Sequence, residues 1–226
     1  MKRTKLKDRI LPPYTRGEEI FNMVSHISGG GLGIIMGALC IIKAFLNHDP
    51  YQIVSAFIYG VSMVVLYTMS SIYHGLVPVT AKKVFQIIDH CAIFILIAGT
   101  YTPIALCNLR EYNPFFGWGL FGFVWIMAIL GVTFNAIDLK KYSGFSNICY
   151  IAVGWGILFV IKALLSSMAL AGFWWLLAGG IAYTVGAVFY AAAAVKKTKY
   201  IHSVFHLFVV VGSVLQFFAV FFYVLR

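Results

Sequence analysis

Three histidines, an aspartate and a serine are the side chains in this chain best placed to do chemistry. His202 and His206 stand in YIHSVFHLFV, residues 200–209, at the head of an apolar run. Positions i and i+4 share one helix face, about one 5.4 Å turn apart. Both imidazoles can therefore bend toward one ion. With His74 as a third nitrogen ligand at roughly 2.0–2.1 Å, they would form a tris-histidine zinc site whose fourth position stays open. An open position is the mark of catalytic zinc, which acidifies water and polarises carbonyls. Asp89 is the candidate to offset the ion's charge and act as general base. Ser70 lies four residues before His74, on the same face, and is placed to donate a hydrogen bond to a substrate oxyanion or to water.

Each of these residues has a plainer reading. Two histidines at a membrane interface can simply hydrogen-bond to loops or to lipid phosphates. The metal reading gains from His74 and Asp89 arriving at the same depth, since ionisable groups inside membrane segments are rare and usually functional. His90 follows Asp89 directly and points about 100° away around the helix, which suits packing or an interhelical hydrogen bond. His48, in NHDPY, reads as an exposed loop residue. Glu19, Asn22 and His26 share a face at the start of the first apolar run and rank below the ligands, as supporting or anchoring groups. Gly29, Gly33 and Gly37 repeat every four residues and suit close packing of helices within the chain. Cys40, Cys91, Cys107 and Cys149 stand singly in apolar segments and read as buried thiols.

Positioning those groups falls to the apolar runs. Of 226 residues, 62% are hydrophobic and 11% charged, against roughly half and a quarter in a soluble domain. Runs of about 20 apolar residues, the length that crosses roughly 30 Å of hydrocarbon, recur along the chain. The expected fold is all-α and polytopic, with seven transmembrane helices at about residues 20–46, 51–77, 84–107, 115–137, 145–169, 171–195 and 200–225. Residues 1–17 form a basic tail and 18–226 a single membrane domain. The run Thr100-Tyr101-Thr102-Pro103 is expected to bend or end the third helix.

Charge sets the orientation. The formal charge of +10 does not come from one basic tract with interleaved aromatics, so nucleic acid is not the partner. Instead 13 of the 17 Lys and Arg fall on one side: in the tail, around Lys82 and Lys83, around Lys140 and Lys141, and at Lys196, Lys197 and Lys199. Lys43 and Lys162 sit near helix ends, from which they can snorkel. The positive-inside rule then predicts a cytoplasmic N-terminus and an outside C-terminus. That parity brings Ser70 and His74, Asp89, and His202 and His206 to one cytoplasmic depth.

The joint pattern, Ser70-x-x-x-His74, Asp89 some fifteen residues on, and His202-x-x-x-His206 opening the seventh segment, resembles the hemolysin III family. That family belongs with the progestin and adiponectin receptors and, more distantly, the alkaline ceramidases. The resemblance runs from GEEIFNMVSH through SSIYHG and DHCAIFILIAGTYTP to HSVFHLF. It implies a seven-helix protein of the bacterial plasma membrane with zinc held by His74, His202 and His206, completed by Asp89 and Ser70. The ceramidase branch implies hydrolysis of a lipid amide, the receptor branch lipid or ligand signalling, and the bacterial branch haemolytic activity. With no long N-terminal extension here, a receptor role is the least supported of these.

Three functions follow as expectations. The first is a zinc-dependent hydrolase of a lipid amide or ester, with membrane lipid as substrate or ligand. The second is a lipid-sensing or membrane-homeostasis protein whose zinc is structural. The third is a haemolytic pore, which the clustering of ionisable groups at one end of the segments disfavours. A three-histidine set with room for water leans toward catalysis, because structural zinc sites usually have four protein ligands.

Overall fold

The structure is a computed structural model that describes residues 3–195 and 198–226. Lys2, Lys196 and Lys197, which enter the charge count above, lie outside the described residues. Among the described residues the fold is helical and contains no strand. Helix α1 spans Arg16–Leu46, α2 Pro50–Gly75, α3 Val79–Pro103, α4 Pro114–Gly154, α5 Ile161–Ser167, α6 Leu170–Val195 and α7 Ile201–Ala219.

Among the described residues six helical stretches, rather than seven, are long and apolar enough to cross a membrane. The difference lies in one stretch, Pro114–Ser167, which takes in both expected runs 115–137 and 145–169. Its main helix α4 has 41 residues, about 60 Å at 1.5 Å per residue and roughly twice the hydrocarbon thickness. Asp138 interrupts α4 with extended backbone angles (φ −158°, ψ 88°), and it falls between the two runs. The third span also departs from expectation. The regular α-helix ends at Pro103, as expected, but the helical span does not: a wider π turn at Ile104–Leu109 follows, and the span continues to Tyr112. Pro103 lacks an N–H, and in the turns before it the Thr100 and Thr102 hydroxyls donate to the carbonyls of Leu96 and Ala98, both at 2.8 Å.

Local chemistry starts three of the long helices. Thr15 and Glu18 form a reciprocal capping box at the head of α1, Asp49 caps α2 ahead of Pro50, and Asn113 caps α4 ahead of Pro114. Helices α1 to α4 pack in succession, α6 pairs with α7, and α7 returns against α1, which closes the bundle. Span for span, α3 and its extension are the most deeply buried. The glycine stripe of α1 packs inside the chain, as expected. A Cβ on Gly37 would lie 2.9 Å from the Gly60 Cα, and one on Gly29 would meet the Tyr67 ring. Ile20, Val24, Ile27, Ile34, Ile35 and Ile42 of α1 are exposed, an apolar face that suits lipid contact. All four cysteines are buried and free, and His48 is exposed in its loop.

Two features fix the end of the bundle that carries the histidines. Helix α7 has no side-chain cap of its own, and Tyr200 before it sits at φ 61°. Its backbone N–H donates instead to Glu18 Oε1 at 2.8 Å, so the capping carboxylate of α1 also locates α7. The N-terminal segment before Thr15 runs along the same end. Thr4 N–H donates to Asp138 at 2.7 Å, Arg3 to the Ala136 carbonyl at 3.1 Å, and Lys83 to the Lys7 carbonyl at 2.9 Å. Lys43, expected to snorkel outward, instead donates to the Phe221 carbonyl at 2.8 Å and helps satisfy the last turns of the chain.

Candidate metal centre

His74 is in the last turn of α2, and His202 and His206 are in the first turns of α7. All three are buried, and ligand nitrogens from the three lie within 4.8 Å of one another, a group that could hold a metal ion. The Nε2 atoms of His202 and His206 face each other at 3.0 Å. His74 Nε2 is buried with no hydrogen-bond partner. A tetrahedral ion with nitrogen ligands at about 2.0–2.1 Å would set them about 3.3 Å apart, so the imidazole pair is already near that spacing. Orphaned, buried nitrogen lone pairs are costly unless something occupies the space between them. The donor set therefore fits a divalent transition metal, and imidazole suits zinc among others.

Helix α1 supplies partners on the far side of two of these rings. Glu19 Oε2 lies 2.6 Å from His74 Nδ1. That contact places the proton on Nδ1 and leaves Nε2 free as a ligand. Lys82 pairs with Glu19 Oε1 at 3.0 Å and donates to the carbonyls of Tyr73, His74 and Leu76 at the end of α2. His26 Nε2 lies 2.6 Å from His206 Nδ1, so one ring donates to the other, and a metal on His206 Nε2 would make His206 the donor. Asn22 lies between Glu19 and His26 on the same face, fully buried, with both amide atoms unpaired. Glu19 and His26 thus turn out to touch the ligand rings themselves. The signal was their i, i+7 spacing on one face of α1, but how α1 is rotated against α2 and α7 cannot be read from one helix alone.

Tyr14 had no sequence signal at all. Its ring stacks on His202, with centroids 4.9 Å apart at 21°. The phenol is partly buried and its pKa is pushed up, first by desolvation, so it covers the imidazole as a neutral ring.

A cavity of about 140 Å³ opens beside the histidines. Ser70, Asp89, His26, His202 and His206 line its polar end, and Leu66, Ile93, Leu96 and Val209 are among its apolar walls. Ser70 Oγ is buried without a partner. The structure thus brings Ser70 and Asp89 to the wall of the cavity that His202 and His206 also line. His90 lines the cavity too, but its ring bonds the Gln86 carbonyl at 2.8 Å and the Tyr190 hydroxyl at 3.0 Å. It ties α3 to α6, the interhelical role expected of it.

The family model described as "Haemolysin-III related" matches residues 14–217. The chain belongs to the haemolysin-III-related family. "Hemolysin-3" of Bacillus cereus is 41% identical over 208 residues, covering 92% of each chain. "Hemolysin-3 homolog" of Bacillus subtilis (strain 168) is 38% identical over 213 residues, covering 94% of this chain and 97% of that protein. The human "Monocyte to macrophage differentiation factor" is 26% identical over 188 residues, 80% of this chain and 75% of that one. With its six apolar helices, this haemolysin-III-related chain is an integral membrane protein of the bacterial plasma membrane.

Proposed function

We propose that this haemolysin-III-related protein crosses the membrane seven times, N-terminus in the cytoplasm and C-terminus outside, and uses a zinc site at its cytoplasmic end to hydrolyse a lipid amide or ester. The observation that carries the reading is the three-histidine group, of which His202 and His206 line a cavity that Asp89 and an unpaired Ser70 hydroxyl also line. The break at Asp138 within Pro114–Ser167 supports the seventh crossing. Bound at His74, His202 and His206, zinc would polarise the scissile carbonyl and acidify a water. Asp89 takes the proton that the attacking water loses and returns it to the leaving group. Ser70 donates to the oxygen on which charge develops. The apolar walls hold the hydrocarbon part of the substrate and keep bulk water from these groups.

Purified protein should contain about one zinc per chain and release fatty acid from a panel of N-acyl and O-acyl lipids. Hydrolysis that persists after the metal is stripped ends this reading. Metal bound in full, with helix packing lost on its removal and no turnover on any lipid class, would favour a structural zinc in a membrane-homeostasis protein. The names of the two Bacillus relatives make haemolysis a second assay. The clustering of ionisable groups at one end disfavours a conducting pore, and single-channel steps from the pure protein would revive it. Reporter fusions at the two termini test the odd number of crossings, which requires them on opposite sides.

A further inference from the structure

The N-terminal segment contains a buried cation short of partners. Arg9 is 7% exposed, and its guanidinium carries five donors and a permanent charge. Among the described residues it makes one long hydrogen bond, from Nη2 to Gln86 Oε1 at 3.4 Å. Among the described residues no carboxylate lies within ion-pair distance of it. Asp138, whose charge it feels, already accepts from the Thr4 and Lys141 backbone N–H groups at 2.7 and 3.1 Å. Burial lowers the Arg9 pKa from its ordinary value.

Arg9 faces a cavity of about 480 Å³ whose charged lining is Arg3, Lys5, Arg9 and Asp138. Three cations against one anion leave the cavity positive. Leu6 and Ile137 form part of its apolar wall, and Ile10 beside it is exposed. We propose that this cavity binds a phosphate ester, with the anion seated on Arg9 and Arg3 and Lys5 at its rim. A guanidinium fork and two further cations match an anion with several oxygens better than they match a single carboxylate. The apolar wall favours a lipid headgroup, whose chains continue into the bilayer, over soluble phosphate. This site is separate from the metal centre and does not depend on it.

The test uses the full chain in non-ionic detergent, with native mass spectrometry and thermal unfolding. Phosphatidylglycerol, phosphatidylcholine and inorganic phosphate are each added against sodium chloride of equal ionic strength. Phosphatidylglycerol is expected to stay bound at one per chain and raise the Tm. Arg9→Gln should bind it at least ten-fold more weakly, and Arg3→Gln with Lys5→Gln weakens it by a smaller factor. Protection by inorganic phosphate alone would make soluble phosphate the source, and protection confined to the lipids would make it the headgroup; either supports the site if Arg9→Gln removes it. The proposal is overturned if no anion shifts the wild type beyond the chloride control, or if both variants bind as the wild type does. Should Arg9→Gln fail to fold, unchanged affinity in the Arg3→Gln, Lys5→Gln protein overturns it.

Discussion

His74, His202 and His206 differ in the support each receives from outside the trio. His74 leans on Glu19 and His206 on His26, whereas His202 is flanked by the rings of Tyr14, Tyr190 and Phe205, and its Nδ1 is buried without a partner among the described residues. Partners of this kind typically contribute 10–100-fold to metal affinity. His26→Leu should therefore weaken zinc binding about ten-fold or more, read by competition with a chromophoric chelator, while His26→Gln, whose carbonyl can still accept from His206, recovers most of it. His74→Ala or His206→Ala should abolish stoichiometric zinc by elemental analysis. Asp89→Asn and Ser70→Ala should keep the metal and lose turnover by about 10²-fold or more, a separation that a purely structural zinc does not produce. The trio itself was legible because four-residue spacing and span parity both survive without coordinates. Glu19 and His26 were visible only as a face of α1, since their contacts depend on how three helices are rotated against one another.

Between elements, α1 and α2 cross backbone to backbone at a pair of glycines, Gly37 and Gly60. A methyl at Gly37 meets backbone of the partner helix at 2.9 Å, while one at Gly31 meets nothing within 4 Å. Gly37→Ala should lower the Tm, because neither backbone can yield without parting the helices that carry Glu19 and His74. Gly31→Ala should be neutral or stabilising by up to about 1 kcal/mol through helix propensity. Paired thermal melts of the two variants decide the matter. Helix type and span length followed from apolar composition, and the positions of most runs agree with the observed helices. What composition did not reveal was the persistence of helix through Pro103 and across most of residues 114–154. Those depend on hydrogen-bond geometry, a π turn in one case and a single extended residue in the other.

At the scale of the whole molecule, the N-terminal segment is tied to the bundle through Arg3, Thr4 and Arg9, and Tyr14 covers His202. Tyr14→Ala should leave zinc stoichiometry intact but speed the loss of the metal to a soluble chelator, measured as a stopped-flow rate. An unchanged rate would mean that the stacked ring does not limit access. Composition could not have foreshadowed this, because a lysine- and arginine-rich stretch usually reads as solvated. The separation of the ligands along the chain has a consequence for how the protein is made. About 130 residues part His74 from His202 and His206, roughly 6–26 s of synthesis at 5–20 residues per second. Throughout that interval the nascent chain holds one histidine ligand without the other two, and Glu18 waits for the Tyr200 N–H that locates the last helix. The three-histidine group is complete only after the ribosome has delivered the final segment, so a chain cut short during translation emerges without the set that could hold an ion.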